Sequence, residues 1–145
     1  MLSYASENLF KSDFISSNDF KIRAVAVMSA PTILFDNKTN NLRDMCDVFS
    51  MCEAKEEMIK TRPITYVSKS CPPTLLCAGA SDYLVFSSSS EKLHEKLQEN
   101  NVDSELNLSI GAGHCFEKVH ASVEPSISID EIQDAITNFI LWRIK

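Results

Sequence analysis

The chain has 145 residues, a formal net charge of −6 and 44% apolar residues, which suits one domain of an ordinary globular protein. A domain of that size buries about 68–70% of its unfolded surface, enough for a sizeable core. The acidic balance argues against nucleic acid or an anionic membrane as partner, and no apolar run approaches the roughly 20 residues that cross a bilayer.

Residues 1–10 place Leu2, Ala5 and Leu9 near helical spacing, but no capping residue precedes them. No basic segment followed by an apolar run opens the sequence, so no secretion signal is expected and a cytoplasmic location is. Residues 11–21 are polar and predict a surface loop. Residues 22–28 predict a strand, apolar on both faces in its second half, stopped at Ser29-Ala30-Pro31. A loop rich in Asn and Asp follows. Residues 42–60 carry a ragged helical pattern with Met45, Phe49, Met51 and Met58, as in a plain packing helix with a Met-rich face.

Pro72 and Pro73 cannot continue a helix, so the chain enters the next element extended. Residues 74–78 are apolar without alternation, as in a strand buried on both faces of a parallel sheet. Gly79 ends that strand, and Asp82 lies on the loop beyond its carboxyl end, the edge of an open α/β sheet where ligands gather. Ser88 and Glu91 have capping-box spacing and predict a helix with Leu93 and Leu97 inward, closed by a left-handed residue at Asn100 or Asn101. Residues 104–110 alternate, as a half-exposed strand near a sheet edge does. A second loop of the same kind follows, Gly111-Ala112-Gly113-His114-Cys115-Phe116. Ser128 and Glu131 form another capping box, opening a last helix with Ile132, Ala135, Ile136, Phe139 and Ile140 on its apolar face.

An acid after one strand and a histidine after the next is the second half of a Ser…Asp…His order. The pattern of Gly79, Asp82 and Val85, a capped helix, a strand, and then Gly111-Ala112-Gly113-His114 with Phe116 resembles the C-terminal part of α/β-hydrolases, in the carbohydrate-esterase and acetyl-esterase-like branch near the prolyl-oligopeptidase-like hydrolases. The run Arg62-Pro63-Ile64-Thr65-Tyr66-Val67-Ser68 resembles that branch as well. The likeness covers most of residues 22–145 and is most specific between Pro63 and Phe116. It implies a partial α/β fold of about three parallel strands flanked by helices, with Asp82 as catalytic acid and His114 as catalytic base. It also implies carboxylic-ester hydrolysis through an acyl-serine, a small ester as substrate and no cofactor. His94 and His120 have no supporting motif.

The nucleophile departs from this pattern. A nucleophile elbow of the form G-x-S-x-G needs two glycines four apart, and the glycines of this chain are Gly79, Gly111 and Gly113. Ser81 follows Gly79 by two residues but adjoins the acid, and no glycine follows it. Cys46 and Cys52 precede Asp82, but neither follows a buried strand at a tight glycine turn. The five cysteines contain no C-x-x-C pair and no structural-zinc spacing, and are expected as small buried hydrophobes, with no metal. The expectation is therefore a single domain, residues 1–145, representing the C-terminal portion of an α/β-hydrolase with its nucleophile-bearing portion absent. The alternative is a non-catalytic, degenerate hydrolase domain that binds or assembles. The resemblance also places residues 22–28 beside the strand that leads to the nucleophile. A homodimer through that edge is then expected, weakened by Val25→Lys or Val27→Pro.

Overall fold

The computed structural model describes residues 21–33 and 62–145. The helices expected in residues 1–10 and 42–60, with Cys46 and Cys52, lie outside these residues. Among the described residues three parallel strands form one sheet in the order β1-β2-β3: β1 is Val25–Met28, β2 is Thr74–Gly79 and β3 is Ser104–Ser109. A single 3-10 turn, Pro63–Tyr66, precedes β2. Helix α1, Ser88–Glu99, links β2 to β3, and helix α2, Ile129–Ile144, closes the chain. No helix among the described residues is long and apolar enough to cross a membrane.

β2 is central, and every one of its residues is buried. Successive side chains of a strand point to opposite faces, so an unbroken apolar run needs cover on both. Leu76 faces a cluster with Leu93 and Leu97 of α1, Cys71 and Val102. Leu75 and Cys77 face the other side, against Ile132 and Phe139 of α2, Ala112 and Phe116. Each fully buried leucine contributes about 1.5–3 kcal/mol over an exposed one, so this three-layer sandwich is what fixes the positions of the strand ends. Arg143 pins the far end of α2: its guanidinium lies 3.7 Å from the Phe139 ring centroid and donates to Asp103 at 2.5 Å.

Two boundaries differ from the sequence reading. β1 is shorter than residues 22–28. The ladder starts where Val25 pairs with Thr74, and Val25 N–H already bonds the Pro73 carbonyl. Pro72 and Pro73 have no N–H to offer the residues before Val25. Helix α1 starts without the expected box. Its N-cap is Ser87, whose hydroxyl donates to Glu91 Oε1 at 2.9 Å and caps no backbone N–H. Ser89 is buried, and its hydroxyl instead accepts from Thr32 N–H at 2.9 Å. The helix is thereby tied to the segment after β1. The left-handed residue after α1 is Asn101, at φ 57°.

Candidate active site

The ends of β2 and β3 at one edge of the sheet carry the two loops singled out above. Beyond β2 the chain turns at Gly79: Ala80 N–H bonds Ser109 O at 2.8 Å and Ser81 N–H bonds Ala112 O at 2.9 Å. These bonds knit the acid loop to the histidine loop. A Cβ on Gly79 would lie 2.2 Å from Gly113 O and 2.5 Å from Ala112 O, both backbone atoms. Only glycine lets the two loops approach this closely. Gly111 serves a different need, taking φ 81° in the turn after β3.

Asp82 is buried, with no exposed side-chain surface. Its Oδ1 accepts from Leu84 N–H at 2.8 Å and Val85 N–H at 2.9 Å, the local turn such a residue makes in any loop. Its Oδ2 is turned the other way and meets His114 Nδ1 at 2.7 Å. A buried carboxylate needs its lone pairs satisfied, and here one oxygen is held by its own loop and the other by the imidazole. A carboxylate accepts and does not donate, so the proton of the pair sits on Nδ1, and in the neutral ring the lone pair is then on Nε2. The His114 side chain is 31% exposed, and among the described residues nothing bonds Nε2. Among the described residues the ring is fixed at one nitrogen and open at the other.

The rest of the histidine loop is braced from several sides. Gly113 N–H bonds Glu117 O at 2.8 Å, and Cys115 N–H bonds Glu117 Oε2 at 2.7 Å. Phe116 is buried and left-handed, at φ 62°. From across the sheet, Ser29 at the end of β1 donates its hydroxyl to the His114 carbonyl at 2.8 Å. In the sequence Ser29 marks only the end of a strand.

Other candidates fall away from this edge. His94 Nδ1 lies 2.9 Å from Ser104 Oγ and ties α1 to β3. His120 is exposed in the loop before α2. Cys77 is fully buried in β2, and burial pushes its thiol up to about 11 against a smaller opposing effect of a hydrogen bond with Asn107. A thiol held that high supplies no nucleophile near neutral pH. A cleft of about 400 Å³ lined by Arg23, Pro72, Pro73 and Arg143 sits at the start of β2, the opposite end from Gly79.

The sequence matches the BD-FAE family model over residues 4–97 and the dienelactone hydrolase family model over residues 58–139. Asp82 lies in both matched stretches and His114 in the second. A search of curated proteins found no match. Among solved structures the fold is similar to a truncated form of a carbohydrate esterase from gut microbiota, with a TM-score of 0.61 and 18% identity over 86% of this chain and 44% of that one. It is similar also to esterase Est2 of the planctomycete Thermogutta terrifontis, at TM-score 0.62 and 16% identity over 92% of this chain and 46% of that one. A bifunctional GH43-CE protein of Bacteroides eggerthii gives a TM-score of 0.60 at 17% identity, over 83% of this chain and 17% of that one. The chain thus spans less than half the length of each of these structures. Two family models that each match more than half of the residues, on a parallel sheet shared with these esterases, show that the chain belongs to the esterase-like α/β-hydrolases of the BD-FAE and dienelactone hydrolase families.

Proposed function

We propose that this chain supplies the acid and the base of a Ser-Asp-His carboxylic-ester hydrolase, with Asp82 as acid and His114 as base. The nucleophilic serine and the oxyanion hole come from outside these 145 residues, on a longer polypeptide or a second chain. The observation that carries this reading is the 2.7 Å bond between His114 Nδ1 and a wholly buried Asp82 oxygen, with Nε2 left open among the described residues. In such a site Nε2 takes the proton of the serine hydroxyl as the oxygen attacks the ester carbonyl, then returns it to the departing alcohol. A water molecule, activated by the same nitrogen, releases the acid and restores the serine. Asp82 holds the ring in the tautomer that makes this possible and stabilises the imidazolium, without taking the proton itself. Esterases among the solved structures of like fold favour an ester substrate over a peptide.

The absence of a G-x-S-x-G pair from this sequence favours a second reading, a hydrolase-like domain that binds without catalysis. The two separate in one experiment. The chain alone should release p-nitrophenol from p-nitrophenyl acetate no faster than buffer. Joined to an upstream segment bearing G-x-S-x-G, it should turn over, and Asp82→Asn should then lower kcat by about 10⁴-fold, the loss seen when a triad acid is neutralised in a serine protease. Activity in the joined protein that survives His114→Ala would sink the catalytic assignment. A burst from the chain alone, abolished by His114→Ala, would place a nucleophile inside it.

A further inference from the structure

Three non-glycine residues among the described residues have left-handed backbones: Ser29 at φ 44°, Asn101 at φ 57° and Phe116 at φ 62°. Asn101 ends helix α1, where such a residue is expected. The other two belong to the histidine loop or bond to it. Phe116 is two residues beyond His114, and Ser29 touches the His114 carbonyl from a strand 85 positions away in sequence. A serine in this backbone region is strained, and strain of this kind persists where the surrounding structure demands it.

The demand at Ser29 can be read from its bonds. Its N–H continues the β1–β2 ladder to Cys77 O at 2.9 Å, so the residue is seated by the sheet. The left-handed turn follows at once, and its buried hydroxyl donates at 2.8 Å to His114 O. The Asp82 bond fixes the imidazole at Nδ1 alone, about which a ring can still pivot with its backbone. A second fixed point on the same residue's carbonyl removes that freedom.

We propose that Ser29 is a positioning residue for His114, its hydroxyl holding the loop peptide so that the Nδ1–Asp82 bond forms and Nε2 keeps one direction. This rests on the acid–base pair proposed above. Nuclear magnetic resonance of the 145-residue chain, labelled uniformly with ¹⁵N, tests both at once. Wild type should show a hydrogen-bonded Nδ1 proton downfield of the backbone amides that disappears in Asp82→Asn. Ser29→Ala should lose that resonance while thermal unfolding stays cooperative and the β2 and α2 amide shifts are unchanged. Ser29→Gly should lose it as well, although glycine accepts φ 44° without strain, and this variant decides the matter if Ser29→Ala does not fold. Retention of the resonance in both variants overturns the role of Ser29 and leaves the pair standing. Retention in Ser29→Gly with loss in Ser29→Ala makes the backbone turn, and not the hydroxyl, the cause and overturns it too. A wild-type spectrum without the resonance overturns the pair and the Ser29 role together.

Discussion

Asp82 answers to two descriptions at the level of single residues, and both hold. One oxygen closes its own turn and the other meets His114, so a loop-capping aspartate and a partner for the imidazole are the same residue. Gly79 is the residue that makes this meeting geometrically available. Gly79→Ala would drive a methyl into two backbone carbonyls that cannot swing aside. A cost of about 1–3 kcal/mol or more is expected in urea unfolding, in the range of overpacking a well-filled site, and an unchanged midpoint would show that the loops separate freely. The placement of Asp82 and His114 beyond neighbouring strand ends was legible in the sequence because strand ends and glycine turns are local signals. Ser29 was not, because a left-handed φ is not a property of serine and its partner is distant in the chain. Glu117 was missed for a related reason: it braces Cys115 N–H from an exposed position with no motif around it.

Among the elements, α2 shows a start signal that the sequence spelled in full. Ser128 Oγ accepts from Glu131 N–H at 3.3 Å, and Glu131 Oε2 accepts from Ser128 N–H at 2.8 Å. The Ser128 backbone N–H, and the Ser128 hydroxyl donating to the same Oε2 at 2.7 Å, hold the Glu131 carboxyl below its ordinary value of 4.5. A carboxyl lowered on folding stabilises the folded chain above its ordinary range, and that stabilisation is lost as pH falls through the lowered value. Loss of the cap bond in Ser128→Ala should cost about 1 kcal/mol near neutral pH. The gap from wild type should narrow below pH 4.5, as followed by circular dichroism melts. A gap that is constant with pH would mean the carboxylate takes no part. The equivalent spacing at Ser88 and Glu91 builds no box because the helix begins one residue earlier, with Ser87 as N-cap and its hydroxyl on Glu91. Ser89 is committed to Thr32, a tertiary contact that no local spacing encodes. The short β1 has a comparable cause, the missing donors of Pro72 and Pro73, which were visible in the sequence but on a different strand.

For the whole molecule, the sheet places β1 at an edge among the described residues, and this chain spans less than half the length of the similar solved structures. We propose that in the 145-residue chain a second copy pairs along this edge, since Lys21 and Arg23 guard only its beginning. The bonds of Val25 and Ser29 to β2 fix which groups face outward. Residues two apart point the same way, so Val27 N–H is directed at β2 and Ala26 and Met28 N–H at the outer edge. Val27→Pro would thus injure the internal ladder, and Ala26→Pro is the variant that blocks the edge alone. Wild type should sediment as a dimer at high micromolar concentration and Ala26→Pro as a monomer with an unchanged melt. A monomeric wild type would mean that other residues cover the strand. The layered α/β arrangement was legible because β2 reads as a strand buried twice over. The edge chemistry was not, because the sense of each N–H depends on a register that only the paired strands define.

The seam at Gly79 has a consequence for how such a site can change. The acid loop and the histidine loop share hydrogen bonds at Ser81 and Ala112 and leave no room for a methyl between them. Neither can be exchanged singly for the loop of a relative without mismatching the other. In recombination or loop grafting, residues 79–85 and 109–117 therefore move as one cassette. The segment carrying Ser29 must travel with them, since it supplies the third wall against which the pair is set.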